Sequence, residues 1–203
     1  IKKKLSQNDL KRKNIYSCPQ TLFKIHPDFD QIIFDILEKD RKAVVYLIKD
    51  TNKVWYKKLI KRFSNNERYD SKRIIFMDPL NQEEYLLHLG RASVLLDPIY
   101  YGAGNSFFES MLFGTPSVTL PSDHIKSRLV LGAYKQMEIE DPPIAKNIED
   151  YINLAINYAN RNDIGELKNK YKKAAEKKLF NTQKASEEFN KIIESLFNLT
   201  WFF

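Results

Sequence analysis

Two hundred and three residues, 43% hydrophobic and 13% aromatic, suffice for one cored domain or one lobe of a larger enzyme, and exclude a disordered chain. No apolar run approaches the roughly 18 residues that cross a bilayer, and the single Cys18 excludes an internal disulfide framework, so a reducing compartment, the cytoplasm, is expected. The net charge of +7 is concentrated in residues 1–13, where Lys2, Lys3, Lys4, Lys11, Arg12 and Lys13 face only Asp9; a basic tail on a nearly balanced globule argues against a nucleic-acid surface.

That tail lacks the apolar stretch and cleavage site of a signal peptide, and Ile1 in place of an initiating Met suggests that a longer protein continues upstream. NIYSC (14–18) reads as a strand. DFDQIIFDILEKD (28–40) places Phe29, Ile32, Ile33, Ile36 and Leu37 on one helical face. AVVYLIK (43–49) is the continuous β-branched run of a strand covered on both sides. A helix is expected over 51–63, a strand over 73–76, and a helix over 81–90 with Gly90 at its C-terminal end. SVLL (93–96) is the next strand; then come a helix over 106–113, stopped by Gly114, and a strand over 116–120.

Helices dominate from Asp123 onward, at 124–137, 147–159, 164–178 and 183–197. Ile148, Tyr151, Ile152, Ala155 and Ala159 form one stripe, and Phe189, Ile192, Ile193 and Leu196 another; KNKYKKAAEKK (168–178) reads as a solvated face. With no internal repeat and no Pro/Gly/Ser-rich linker, the expected organisation is a basic tail (1–13), one lobe (14–180) and a C-terminal helix (181–203).

Strands alternating with helices at this spacing imply an α/β fold, a doubly wound parallel sheet with helices on both faces and extra helices at the C-terminus. Such sheets bind ligands beyond the C-terminal ends of their strands, where the strand order reverses. In the common order the strands at 14–18 and 93–96 flank that crevice. The loops leaving them are PQTLFKIHP and DPIYYGAGNSFFE.

The second loop holds Gly102 and Gly104 and leads into a helix start. Backbone N–H groups there favour phosphate, and glycine permits close approach. Neither GxGxxG nor GxxxxGK[ST] is present, and a tight turn capped by Ser106 fits the local pattern equally well. Ser106-x-x-Glu109 is likewise both a capping box and a carboxylate placed for ribose hydroxyls; spacing leaves both open. Lys24 in the first loop is an exposed lysine by default, or a point charge that reaches a diphosphate across the crevice. Tyr85 could lie under a base or simply pack beside Leu86 and Leu89. His26, His88 and His124 form no metal-spaced set with Cys18 or the carboxylates, so no metal or other cofactor is expected, and no nucleophile motif is present.

Taken together, CPQTLFKIHPDFD (18–30), RIIF (73–76), LLDPIYYGAGNSFFESMLFGTPSVTLP (95–121), SRL (127–129) and LFNT (179–182) resemble one family. This is the C-terminal lobe of the O-GlcNAc transferase/SPINDLY-type glycosyltransferases, above all the bacterial branch linked to tetratricopeptide repeats. The resemblance runs from about residue 14 to 197. It implies one Rossmann-like lobe of a two-lobed GT-B enzyme, binding a nucleotide sugar between the lobes for inverting, metal-independent transfer to a protein Ser/Thr hydroxyl.

By the same resemblance, Lys24 matches the lysine that stabilises the departing diphosphate, and Gly104, Asn105 and Ser106 match the diphosphate-binding helix start. Glu109 matches an acidic residue that contacts ribose, and Thr21 and Gly102 complete the implied donor set. Gln82 and Tyr85 stand where animal enzymes have a lysine and a histidine near the nucleotide. The helix start is Gly-Asn-Ser here and His-Thr-Thr in those enzymes. A UDP-linked GlcNAc, glucose or related hexose is the implied donor, although relatives use guanosine-linked fucose. The partners implied are the nucleotide sugar and a protein acceptor held through parts N-terminal to this chain, with no membrane and no nucleic acid. The chain alone is expected to bind donor weakly and to transfer nothing. The rival readings are a GT-B enzyme with a small-molecule or lipid acceptor, and a non-catalytic nucleotide-binding module of a repeat protein.

Overall fold

A computed structural model describes residues 14–200, with side chains through residue 197; the basic tail at 1–13 lies outside the described residues. Five parallel strands form one sheet in the order β3-β2-β1-β4-β5: β1 (Asn14–Cys18), β2 (Ala43–Ile48), β3 (Ile74–Met77), β4 (Val94–Leu96) and β5 (Ser117–Val118). The order reverses between β1 and β4, where Tyr16 pairs with Val94 and Ser17 with Leu95. The expected crevice is therefore present, with the turn after β1 and the glycine loop after β4 leaving it side by side.

Side-chain alternation along these strands assigns the two faces. Tyr16, Val94 and Leu96 point into the larger core with Val45 and Leu47 of β2. On that side lie α1 (Pro27–Lys39), α2 (Val54–Ser64) and α6 (Ile148–Ala159). Ile15 and Leu95 point the opposite way, onto Leu89 and Ala92 at the end of α3 (Gln82–Arg91). Helix α1 starts where His26 accepts the Asp28 N–H and Pro27 takes the first position, which has no use for an N–H. Its residues Phe29, Ile32, Ile33, Ile36 and Leu37 are all buried, as their spacing predicts, each worth about 1.5–3 kcal/mol. In α6, Tyr151, Ile152, Ala155 and Ala159 are buried, whereas Ile148, at the first position, is exposed.

Several boundaries differ from the sequence expectation for identifiable reasons. Helix α3 runs through Gly90 to Arg91, and Gly90 is no stop: a Cβ there would stand 2.7 Å from the Phe113 ring. Gly114 does terminate its segment. It has φ +65°, and a Cβ would lie 1.8 Å from the Lys168 carbonyl oxygen. Residues 124–137 divide into a 3-10 turn (Ile125–Ser127) and α5 (Leu129–Met137). The 164–178 segment is α7 (Ile164–Ala174) followed by a π turn (Ala175–Leu179).

Nor is that basic segment wholly solvated. The partly buried Lys168 ammonium donates to the carbonyls of Gly90 at 2.9 Å and Ala92 at 2.6 Å, satisfying the end of α3, and Tyr171 is in the core. Burial lowers the Lys168 pKa to about 8. The strand expected over 116–120 shortens to two residues. Tyr134 of α5 both accepts the Ser117 N–H and donates to the Ser117 carbonyl, while Thr119 bridges to Ile144. Helix α8 (Thr182–Thr200) is the last of the described elements, with Phe189 and Ile192 exposed.

Candidate functional site

The turn after β1 is a 3-10 turn, Leu22–Lys24, whose buried Leu22 and the following Ile25 anchor it in the core. This anchoring turns Lys24 toward the β4 loop. Its ammonium donates to the Gln20 Oε1 at 2.9 Å and the Gly102 carbonyl at 3.1 Å, and lies 4.4 Å from the centre of the Tyr101 ring. Burial lowers the Lys24 pKa, while Asp97 and Cys18 oppose the shift. The default of a solvent-exposed loop lysine is not met.

The glycine loop is organised by Asp97, a fully buried residue that sequence reasoning passed over. Its carboxylate accepts the Ala103 N–H at 2.5 Å and the Thr119 hydroxyl at 2.6 Å. Burial raises its pKa to about 7, with those two hydrogen bonds and Lys24 acting against the rise. A Cβ at Gly102 would stand 2.9 Å from both Asp97 oxygens, so glycine is required there by the carboxylate. A Cβ at Gly104 would make only ordinary contact with Leu129. Tyr100, with φ +72°, clasps the outside of the two loops by donating to Asp28 at 2.8 Å.

Helix α4 (Asn105–Met111) begins one residue earlier than Ser106, with Gly104 as its N-cap and no side-chain cap. The capping box is therefore not formed. Ser106 instead accepts a hydrogen bond from the Gln20 amide, and both Ser106 and Glu109 lie within hydrogen-bonding reach of the Tyr85 hydroxyl. Burial first, and Glu109 second, hold the Tyr85 phenol above its ordinary pKa. Tyr85 also packs on the small cluster around Leu89, so core packing and site lining coexist in one side chain.

Gln20, Thr21 and Tyr85 line an open cavity of about 230 Å³ beyond the C-terminal ends of β1, β2 and β3, together with Ile48, Lys49, Asp50, Pro79 and Leu80. Lys24, Gln20, Ser106, Tyr85 and Glu109 thus form one connected set. Asn105 is exposed at the first position of α4, and Gln82, exposed in the first turn of α3, is not one of the cavity-lining residues. Gln20, Asp97, Thr119 and Tyr101 were missed. The only sequence signal for them is proximity to Lys24 and to the glycines. Phe23, Trp55 and Tyr101 add an exposed aromatic rim beside Lys24, with ring centres 6.0 and 6.2 Å apart from Phe23. Among the described residues no group of three or more His, Cys, Asp or Glu could hold a metal ion. None of the described helices is long and apolar enough to cross a membrane.

The fold is of one class, the Rossmann-like lobe of a GT-B-type glycosyltransferase. The family described as "Glycosyl transferase family 41" matches residues 4–189, and the chain belongs to that family. It is 24% identical over 135 residues to the UDP-N-acetylglucosamine--peptide N-acetylglucosaminyltransferase of Caenorhabditis elegans, covering 66% of this chain and 12% of that protein. Its fold is similar to a mutant of the Thermobaculum terrenum O-GlcNAc transferase, with TM-score 0.76 and 18% identity over 93% of this chain and 36% of the other. It is also similar to S. aureus TarM in complex with UDP and alpha-GlcNAc-glycerol, with TM-score 0.64 and 14% identity over 88% of this chain and 35% of the other. The chain thus spans between 12% and 36% of the length of these three relatives.

Proposed function

We propose that this chain is the donor-binding lobe of an inverting, metal-independent glycosyltransferase that uses UDP-GlcNAc or a related UDP-hexose and delivers the sugar to protein Ser/Thr hydroxyls. The observation that carries the reading is the Lys24 ammonium, held at the reversal of strand order and pointed across it to the glycine loop. An acceptor hydroxyl attacks the anomeric carbon, the bond to the diphosphate oxygen breaks, and negative charge grows on the phosphates. A lysine already oriented toward that charge lowers the barrier without reorganising. The concave cavity, walled by Leu22, Ile48, Pro79, Leu80 and Tyr85 with Gln20, Thr21, Lys49 and Asp50 as its polar groups, serves on this reading as the base subsite, and Glu109, beside the Tyr85 hydroxyl, as the ribose acceptor.

The protein acceptor, and the groups that bind it and take its proton, belong on this reading to the rest of a longer cytoplasmic protein, with tetratricopeptide repeats as in the SPINDLY-like branch. The chain alone then binds donor weakly and transfers nothing. Titration of the chain with UDP and with GDP, followed by thermal shift and calorimetry, tests the reading. Saturable binding of UDP ahead of GDP is expected. Binding of neither removes the proposal, and preference for GDP moves the donor to the guanosine class.

A further inference from the structure

We infer that Gln20 is a positioning residue for the anionic end of the donor, setting at once the direction of the Lys24 ammonium and the hydrogen-bond polarity of the Ser106 hydroxyl; this rests on the donor-lobe reading above. Gln20 is 6% exposed, in the turn directly after β1. Its amide spans the crevice: Oε1 accepts from Lys24 Nζ at 2.9 Å, and Nε2 donates to Ser106 Oγ, 86 positions away.

The amide orientation is dictated by chemistry. An ammonium has only donors, so the oxygen must face Lys24 and the NH₂ must face Ser106. Two consequences follow. Ser106 Oγ is occupied as an acceptor on the Gln20 side, so its own O–H points away, toward Tyr85 and Glu109 or toward an incoming ligand. And of the three N–H bonds of Lys24, one goes to Gln20 and one to the Gly102 carbonyl, which leaves the third for the Tyr101 ring, 4.4 Å away, or for an incoming anion.

Only an amide side chain sets a full acceptor beside a donor pair in this way, and asparagine, one methylene shorter, has less reach across the crevice. Glutamate at position 20 would set a negative charge against Lys24 where the diphosphate needs a positive one. Alanine would leave Lys24 with the Gly102 carbonyl and the Tyr101 ring alone, and would free Ser106 to reorient. Gln20 touches no reacting atom; it acts through Lys24 and Ser106.

The test is calorimetric titration of the intact chain with UDP, GDP and uridine, comparing wild type, Gln20→Ala, Gln20→Glu, Lys24→Ala and the Gln20→Ala/Lys24→Ala double variant. Gln20→Ala should weaken diphosphate binding roughly five- to thirtyfold, and uridine binding by less than about threefold because Gln20 also forms part of the cavity wall; Gln20→Glu, which keeps the shape, should weaken diphosphate binding further. In the Lys24→Ala background the Gln20→Ala loss should shrink severalfold, because the group it orients is gone. Equal losses for uridine and UDP, an undiminished loss without Lys24, or wild-type affinity in both Gln20 variants would overturn the assignment. If Gln20→Ala fails to fold by circular dichroism, the isosteric Gln20→Glu decides alone. Wild type that binds neither diphosphate overturns the donor-lobe reading itself, a result distinct from wild type that binds and Gln20 variants that bind as well.

Discussion

The Lys24 ammonium stands 3.1 Å from the Gly102 carbonyl oxygen across 78 positions of chain. The strands that bring them together pair only at Tyr16↔Val94 and Ser17↔Leu95, just below the two loops. The sheet's order, not local sequence, makes this contact, and it orients the cation of the connected set.

Removing that charge tests its role in turnover. In the complete protein, Lys24→Ala should lower the rate of sugar transfer on the order of a hundredfold or more, the cost of deleting one oriented donor from a transition state. The thermal unfolding midpoint should stay close to wild type. Steady-state transfer assays beside a melting curve separate this from misfolding; an unchanged rate would remove Lys24 from the chemistry.

The two nucleotide-side candidates on α3 should behave unequally. Tyr85 lines the cavity and its hydroxyl meets Glu109 and Ser106, so Tyr85→Phe should weaken UDP binding by about fivefold, near the 1 kcal/mol of one hydrogen bond. Gln82 lies on the exposed first turn, and Gln82→Ala should change binding by less than about twofold. Fluorescence or calorimetric titration of both variants checks the ranking. The reverse order would move the base subsite toward the start of α3.

Asp97 makes a pH prediction whose sign is fixed by its environment. Its folded pKa of about 7 exceeds its ordinary value of 3.8, so the folded state holds that proton more tightly than the unfolded chain. The resulting stability is complete below about pH 4 and is lost as pH rises through 7. Urea denaturation of wild type and Asp97→Asn between pH 4 and 8 should show a steeper decline for wild type. Parallel profiles would mean that Asp97 does not titrate in this range.

Gly114 offers a test of the lobe's construction, remote from the site. Its φ is positive, and an added methyl group would sit 1.8 Å from the Lys168 carbonyl oxygen. Gly114→Ala is therefore both strained and overpacked, at a cost of roughly 2–5 kcal/mol. A fall in unfolding free energy of that size is expected in urea denaturation, with the α7 helix displaced from the end of α3. Gly104→Ala, which meets Leu129 only at 3.7 Å, has no such packing conflict.

Strand and helix identities, and even the pair of loops at the crevice, were legible because period-2 and period-3.6 burial leave direct marks on residue order. The continuous run of β2 and the five-residue face of α1 are such marks. The dual character of Ser106-x-x-Glu109 was not decidable locally, since capping and ligand binding ask for the same atoms at the same spacing. The tertiary structure removes the capping box by starting α4 at Asn105, and it brings Gln20 and Tyr85 to those side chains. Lys168 shows the same limit from the other side: within a run of lysines nothing distinguishes the one that enters the core to meet Gly90 and Ala92.

By itself the sequence determined the α/β class, the alternation of elements and the two loops that meet at the strand-order reversal. Only the tertiary structure decided which polar side chains face one another, because a hydrogen bond such as Gln20 to Ser106 depends on strand order and packing across 86 positions, and no local periodicity records that.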